Sequence, residues 1–489
     1  MMIASWIRIF VAITLCHASS ALVRNTFARQ SSLALFSAAP KIQDTASALY
    51  DRNQETELLD VAIVGGGPTG LACALALLRA SSTSSAPRSS IGIFEFDSFE
   101  PKGASIVLSK MGWKTLKCID KGTYKDAKSC SVPISLVSFR NFSGKNTLPV
   151  PITFVLRRLV RPILRLIRKG LVRSNSWHEL RLSIRRGVEN VGSELGYSSE
   201  DLIRTNSKLV SVDPTSRSDK RVLLTFADGR KVAATTVLAC DGTFSSVRKQ
   251  LEKFEEASGQ SRSKPVLIDE KRTVWRGTVP SISAKGVGTF FIAQKEAKAQ
   301  GATGCLFPAG GAADGSSLAI IAPTSVSGRA TSTEDARERL KKVLSEFEVP
   351  IAEELKEAID AAETMLEHKL HVRDAVAYPD IGSGYDQIAY FGDALHPLRP
   401  TGEGLAVAME DAWTIGQLLA NSDTGKVSPE LLRSYEQERQ ERVNAICFAV
   451  RSFAESYYEE KDTGEGTVTK AVSVEQAKKD YPIKLSPLY

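Results

Sequence analysis

Residues 58–80 read LLDVAIVGGGPTGLACALALLRA, an apolar run typical of a buried strand that meets a glycine turn and continues as an apolar helix. Gly65, Gly67 and Gly70 form the pattern G-x-G-x-x-G at this junction. The first glycine permits a tight turn, the second lets the backbone approach a pyrophosphate, and the third lets helix and strand pack closely. The helix start supplies N–H donors for phosphate. The stretch therefore predicts a Rossmann-like dinucleotide-binding unit.

An acidic residue ends the next predicted strand, IGIFEFD at 91–97. Glu95 lies 25 residues after Gly70. A carboxylate at this place accepts hydrogen bonds from the ribose hydroxyls of an adenine dinucleotide and disfavours a 2′-phosphate. Strand, glycine turn, helix and acid together favour a dinucleotide site over an ordinary glycine turn followed by a surface glutamate.

Two later stretches are equally stereotyped. Residues 239–251 read ACDGTFSSVRKQL and follow an apolar strand. Residues 390–413 read YFGDALHPLRPTGEGLAVAMEDAW, in which an apolar run crosses two prolines and several glycines before a small-residue helix. With the glycine turn and Glu95, these stretches resemble the FAD-dependent monooxygenase family that includes aromatic-ring hydroxylases, kynurenine monooxygenase and zeaxanthin epoxidase.

The resemblance implies FAD as the cofactor, NADPH or NADH as the reductant, and transfer of one oxygen atom from O2 to a substrate. It places Asp393 against the ribitol hydroxyls and makes the loop from Pro397 a stiff wall beside the isoalloxazine ring, because proline fixes φ. The N-terminus of the helix near Gly404 would stabilise negative charge on reduced flavin. The cofactor contacts implied are Gly65, Gly67, Gly70, Glu95, Arg173, Asp241, Gly242, Gly392, Asp393, Pro400, Gly402 and Gly404.

Two of the residues near these motifs, His396 and Arg248, have two interpretations each. His396 and Pro397 are the catalytic candidates of the flavin-facing loop, although a histidine here also commonly supports the loop by hydrogen bonding. Arg248 fixes the loop after Asp241 or serves as a structural ion-pair partner.

The chain also departs from the family pattern. Only Thr401 separates Pro400 from Gly402, where two residues are usual, and Glu403 stands where glutamine is common. A carboxylate beside reduced flavin would oppose its negative charge. Two alternatives therefore stay open: a plastid prenyl reductase that also uses FAD, and an FAD-binding structural protein without activity.

The order of predicted elements indicates an α/β protein: a Rossmann-like FAD-binding domain with an inserted, mostly β substrate domain and C-terminal helices. Residues 331–366 are predicted to form one amphipathic helical stretch, and the tail beyond Lys461 is expected to be loosely structured. The predicted segments are a presequence at 1–43, FAD-binding segments at 57–129, 173–262 and 386–422, substrate-domain segments at 130–172 and 263–385, and a C-terminal helix and tail at 423–489.

The N-terminus has the composition of a targeting sequence. Residues 1–43 contain four cations and no acid, so their removal lowers the formal charge from +7 to +3. A short apolar stretch and small residues at a cleavage site are followed by an Arg- and Ser-containing segment. Signal followed by transit peptide predicts a plastid of secondary origin; secretion and a mitochondrial address are the alternatives.

The remaining composition excludes several classes of function. A mildly basic mature chain gives no indication of nucleic-acid binding. The scattered cysteines and histidines lack ligand spacing, so we predict buried thiols and no metal site. Residues 154–173 combine an apolar stripe with arginines and could lie on an anionic membrane surface or cover the substrate domain. The sequence thus predicts an FAD-dependent monooxygenase that hydroxylates or epoxidises a small, apolar substrate, isoprenoid or aromatic.

Overall fold

The apolar run before the glycine motif forms the middle of a parallel sheet. Strand β1 (Glu57–Val64) pairs in parallel with β2 (Ile91–Phe94) on one side and β10 (Lys231–Ala239) on the other. β1 and β10 are almost wholly buried at their carboxyl ends, as strands covered on both faces must be. The sheet order is β7-β2-β1-β10-β9-β8, and β16 also pairs with β10. The remaining strands are β7 (Ile203–Arg204), β8 (Leu209–Asp213), β9 (Val222–Phe226) and β16 (Ile388–Tyr390).

Helices cover this sheet and position the motif loops. Helix α1 (Pro68–Ser82) contacts both α4 (Trp177–Glu194) and α9 (Gly404–Ala420). The small residues of α1 and α9 allow this close approach: a methyl group on Gly416 would lie 2.9 Å from the Ala76 side chain. The glycine turn before α1 and the loop before α9 both follow parallel strands of this sheet, so both lie at its carboxyl edge.

A second sheet carries its own core. Its order is β15-β11-β14-β13-β12-β5, antiparallel except for the parallel pair β12–β5. Trp275 and Phe291 point to the face covered by helices, and Arg276 points to the other face, because side chains alternate along a strand. The elements are β5 (Leu136–Asn141), β11 (Leu267–Val279), β12 (Val287–Ile292), β13 (Thr303–Pro308), β14 (Ser316–Pro323), β15 (Thr364–Arg373), α7 (Thr333–Ser345) and α8 (Glu353–Asp360).

Smaller elements complete the described chain. A three-stranded sheet has β6 (Val172–Ser176) between β3 (Ser105–Ser109) and β4 (Val132–Pro133). The other helices are α2 (Lys110–Ile119), α3 (Lys121–Ser129), α5 (Ser199–Leu202), α6 (Ser246–Ala257), α10 (Pro429–Tyr458) and α11 (Val474–Asp480). The predicted α/β class with C-terminal helices is confirmed; the segment boundaries stay a prediction.

Three expectations differ from the structure. The stretch 331–366 is two helices and the start of β15, with Pro350 between the helices, where its missing N–H does not interrupt a helix. Beyond residue 472 the tail is ordered: α11 forms and Leu488 is buried. Of the cysteines described, Cys73 and Cys240 are buried and the others half-buried, all with free thiols.

The computed structural model describes residues 56–83, 88–101, 104–134, 136–145, 172–214, 220–259, 266–282, 286–292, 302–310, 315–323, 328–347, 350–373, 382–458 and 473–488. The predicted presequence at 1–43 and nearly all of the basic stretch 154–173 lie outside these residues. Within these ranges, no helix has the length and apolar character needed to cross a bilayer. Histidine, cysteine and acidic side chains of the described residues form no metal-binding cluster.

Candidate functional site

The glycine turn leaves open space at its centre. A methyl group on Gly70 would lie 1.9 Å from the Gly65 carbonyl oxygen, and one on Gly65 would lie 2.6 Å from the Cys240 carbonyl oxygen. A methyl group on Gly67 would meet nothing within 4 Å of the described residues. Helix α1 begins at Pro68 without a side-chain cap from the described residues. Its first N–H groups can therefore bind an anionic ligand such as a pyrophosphate.

Glu95 holds the turn from the neighbouring strand. Its Oε2 accepts a hydrogen bond from the Gly66 N–H at 2.7 Å and forms an ion pair with Arg181 Nη2 at 3.0 Å. Arg181 Nε donates to the Gly66 carbonyl oxygen at 2.8 Å, and its guanidinium stacks 4.0 Å from the Phe99 ring centroid. Sequence reasoning missed Arg181, because a single arginine among the polar residues of α4 carries no signal of a distant partner.

Asp241 offers an unpaired acceptor at the end of β10. Its Oδ2 accepts from the Val247 N–H at 3.0 Å, while its buried Oδ1 has no hydrogen-bond partner within the described part of the chain. Burial raises the pKa of this carboxyl group. Gly242 follows with φ +82° and open space around its α-carbon. A hydroxyl group of a ligand could satisfy the free oxygen of Asp241.

Arg248 joins the Asp241 motif to the Asp393 motif. Its Nε and Nη2 both donate to the Ala394 carbonyl oxygen at 3.1 Å, and its guanidinium lies 3.6 Å from the Tyr390 ring centroid. The side chain is 6% exposed. These hydrogen bonds hold the 392–396 loop, whereas the prediction placed Arg248 on the loop after Asp241, and the partner is a backbone carbonyl rather than a carboxylate.

Asp393 is solvent-accessible although protein surrounds it. Its side chain is exposed, yet enclosure raises the pKa of the carboxyl group, an effect that His396 and Arg276 partly offset. Both observations fit a carboxylate that faces an open space inside the protein. The adjacent Gly392 has φ +55°, and a methyl group on it would lie 2.6 Å from the Thr69 hydroxyl oxygen, so this loop packs on the first turn of α1.

His396 is turned into the protein. It is 2% exposed, and its Nε2 lies 2.7 Å from Asp411 Oδ2. The same carboxylate accepts from the Gly392 N–H at 2.9 Å and from Arg439 Nε at 2.8 Å. Asp411 therefore fixes both ends of the 392–396 loop. The contacts give His396 a positioning role, and a catalytic role for it stays a prediction.

A second carboxylate extends this buried network. Glu410 is fully buried and accepts from Arg442 Nε at 2.8 Å and Nη2 at 2.7 Å. Arg439 Nη1 lies 3.4 Å from it. Burial alone would raise the pKa of Glu410, but the two guanidinium groups lower it. Asp411 and Glu410 together thus tie α9 to α10.

The loop from Pro397 to Gly402 is tied to the second sheet through Arg399. Pro397 is buried and Pro400 exposed. Arg399 Nη2 donates to Glu270 Oε1 on β11 at 2.6 Å. Gly402 has φ +85° with open space around it, and α9 begins at Gly404. The loop therefore bridges the two large sheets.

Arg173 forms its hydrogen bonds with a different part of the chain, at Ser131. On β6, its Nη2 donates to the Ser131 carbonyl oxygen at 2.7 Å, and its Nε donates to the Ser131 hydroxyl. Burial lowers the pKa of its guanidinium. A cofactor contact for Arg173 stays a prediction.

Arg276, on β11 of the second sheet, places a positive charge near Asp393. Its side chain is solvent-accessible, yet surrounding protein lowers its pKa, and attraction to Asp393 is the largest opposing effect. It shares a sheet row with Ala319 and Cys305. On the same face, burial and the charge of Arg276 contribute to lowering the pKa of His368 to about 4. A cation on the second sheet and a carboxylate at the end of the first sheet are therefore close enough for their charges to interact, and both are solvent-accessible.

These features fit FAD. The open N-terminus of α1 suits the pyrophosphate, and Glu95 directly follows β2, where an acid is expected to bind a ribose. The unpaired Oδ1 of Asp241 and the accessible carboxylate of Asp393 are acceptors for hydroxyl groups. The glycines at 67, 242 and 402 leave room for close approach. The structure thus brings the glycine turn, Glu95, Asp241 and Asp393 to the carboxyl ends of four parallel strands of one sheet.

Comparison with known proteins agrees with this geometry. A family model described as "FAD binding domain" matches residues 202–449. The structure of Klebsiella pneumoniae HpxO complexed with FAD and uric acid is similar in fold, with a TM-score of 0.58, 19% identity, and coverage of 82% of this chain and 89% of that one.

Two curated relatives match over shorter stretches. The 3-hydroxybenzoate 4-monooxygenase of Comamonas testosteroni is 34% identical over 99 residues, 20% of this chain and 15% of that protein. The FAD-dependent monooxygenase atnJ of Arthrinium sp is 45% identical over 56 residues, 11% of this chain and 13% of that protein. The alignments thus span less than a sixth of either relative. Because the family model matches half of the chain, the chain belongs to the family that this FAD-binding domain defines, and the two curated relatives that it resembles are named as monooxygenases.

Proposed function

We propose that this chain is a monooxygenase that uses NADPH or NADH and O2 to add one oxygen atom to a small aromatic substrate. The observation that carries the proposal is a pair of solvent-accessible side chains whose charges interact, Asp393 on the FAD-binding side and Arg276 on the second sheet. FAD, when bound, supplies the electron transfer and the reaction with oxygen. The protein's part is to bind, orient and enclose.

The chain's own residues divide this work. The first N–H groups of α1 hold phosphate, Glu95 a ribose, and Asp241 and Asp393 hydroxyl groups of the cofactor. Arg248 and Asp411 do not touch the ligand; they keep the loop from Gly392 to His396 in place. This division accounts for a site without a nucleophile–base pair, because the cofactor performs the chemistry.

Arg276 favours an aromatic substrate over an isoprenoid one. A hydrocarbon chain would displace water from this guanidinium without replacing its hydrogen bonds, which costs free energy. A carboxylate or phenolate on an aromatic ring would pair with it. The 3-hydroxybenzoate in the name of one relative and the uric acid bound in the HpxO structure are compatible with this choice. The predicted presequence at 1–43 supports a plastid location, which is part of the proposal.

Isotope labelling tests the proposal. The purified protein is incubated with FAD, NADPH or NADH, 18O2 and a panel of hydroxylated aromatic acids and isoprenoids. We expect one product class that gains a single 18O atom and consumes one reduced pyridine nucleotide per product. A product that gains hydrogen and no oxygen would identify a reductase instead. Pyridine nucleotide oxidation that no substrate stimulates would favour the inactive FAD-binding alternative.

A further inference from the structure

The C-terminal segment 473–488 lies along α9, the helix whose N-terminus borders the proposed flavin site. Trp413 Nε1 donates to the Ser486 carbonyl oxygen at 2.8 Å. Leu488 is 3% exposed, and a methyl group on Gly416 would lie 2.7 Å from its side chain. These contacts follow α9 from its middle towards its C-terminal end. The segment is therefore part of the wall that supports this helix.

The same segment reaches the other end of α9 through one lysine. Lys478 Nζ lies 2.6 Å from Glu403 Oε2. The Lys478 side chain is 8% exposed and that of Glu403 19%, so solvent screens the pair less than a surface pair. Arg442 holds α11 in position, because it donates to the Lys478 carbonyl oxygen at 3.1 Å while paired with Glu410.

Glu403 occupies a sensitive position. It precedes the first residue of α9, and a methyl group on the next residue, Gly404, would lie 3.8 Å from Asp393 Oδ1. Two carboxylates thus flank the helix start at which reduced flavin is expected to carry negative charge. An uncompensated Glu403 would counteract the positive end of the helix dipole, which is equivalent to about half a unit charge.

We propose that Lys478 is a positioning residue of the flavin site, which neutralises Glu403 so that the N-terminus of α9 keeps a positive potential toward reduced FAD. The inference rests on the proposed function, since it requires FAD that is reduced at this site. It gives the C-terminal segment a part in setting the reduction potential of the cofactor. It also explains how this chain accommodates a glutamate where the resembling family commonly has glutamine.

Charge compensation can be separated from packing by a double-variant cycle. The variants are Lys478→Met, Glu403→Gln and the two combined, with Lys479→Met as the control because Lys479 is the exposed neighbouring lysine. The two-electron reduction potential of the bound flavin is measured against a reference dye, and FAD affinity by flavin fluorescence. Both readouts are independent of turnover.

We expect Lys478→Met to reduce the preference for reduced over oxidised FAD about tenfold, which corresponds to a potential about 30 mV more negative. Glu403→Gln alone shifts the potential in the opposite direction, because Lys478 then lacks its counter-charge. The combined variant returns close to the unsubstituted protein, and Lys479→Met leaves the potential unchanged.

The cycle also has outcomes that overturn the inference. A combined variant that keeps the potential of Lys478→Met would assign the effect to packing rather than to charge. An unchanged potential in Glu403→Gln would refute compensation even if Lys478→Met fails to fold. An unsubstituted protein that takes up no FAD would refute the proposed function itself, whereas one that is reduced normally but is insensitive to these charges refutes only the role of Lys478.

Discussion

Replacing Asp411 by asparagine should loosen the loop that carries Asp393. Asp411 is fully buried and accepts from three donors: His396 Nε2, the Gly392 N–H and Arg439 Nε, at 2.7 to 2.9 Å. Asparagine keeps the shape but has one acceptor oxygen, and its NH2 group would face a donor. The substitution therefore breaks at least one hydrogen bond and removes a buried countercharge.

The expected loss of unfolding free energy depends on the ion pair that Arg439 keeps after the substitution. Breaking a buried ion pair by removal of one partner costs about 3–5 kcal/mol. Arg439 keeps Glu410 at 3.4 Å, so part of its charge stays compensated. We therefore expect the lower end of this range, about 3 kcal/mol of unfolding free energy. FAD affinity should fall as well, because the 392–396 loop loses its anchor.

Urea unfolding with and without FAD measures this change, with Asp423→Asn as the control, because Asp423 is exposed just beyond the end of α9.

Burial alone would raise the pKa of Asp411, but His396, Arg439 and the Gly392 N–H together lower it. A lowered folded-state pKa means that the stabilisation is fully present above the unfolded pKa, about 3.9, and is lost as the pH falls through the folded value. The difference between Asp411→Asn and the unsubstituted protein should therefore shrink in acid. A cost below about 1 kcal/mol at pH 7, equal to that of the control, would refute the reasoning.

Two further substitutions test the turn and the substrate side. Gly70→Ala should abolish FAD binding, because its methyl group would lie 1.9 Å from the Gly65 carbonyl oxygen. The control variant Gly304→Ala, whose methyl group lies at least 3.6 Å from its neighbours, should bind FAD normally. Equal FAD affinity of the two variants in a fluorescence titration would contradict this reasoning. Arg276→Gln should raise KM for aromatic acids about tenfold or more, because a charge-assisted contact is lost, and should leave FAD affinity unchanged. The control variant Lys271→Gln, on the same strand and with a side chain that is 82% exposed, should leave KM unchanged. Equal steady-state KM values for these two variants would remove Arg276 from the substrate site.

Local sterics made part of the site predictable. Side chains at Gly65 and Gly70 would clash with nearby backbone, and Gly67 borders open space. These requirements act within one turn, so the spacing of the glycines was enough to predict the turn. The strand before them and the helix after them follow from continuous apolar runs. The α/β class could be predicted for the same reason.

Remote charges could not be predicted in this way. Arg181, Arg439 and Lys478 reach the motif loops from helices distant in sequence, and nothing in their local sequence specifies the partner. Tertiary packing likewise orders the segment from 473 to 488, whose composition alone suggests a loose tail. His396 shows how little a motif position says about contacts: the sequence left both a catalytic and a supporting role open, and the hydrogen bond to Asp411 became visible only in the folded chain.

Flavin uptake and reduction test the central claim most directly. Purified protein with FAD is examined by visible absorption spectroscopy, then titrated anaerobically with NADPH and NADH and finally exposed to air. We expect stoichiometric FAD, bleaching by at least one pyridine nucleotide, and recovery of the oxidised spectrum with oxygen. Protein that takes up no FAD, or flavin that stays oxidised with both nucleotides, would contradict the account.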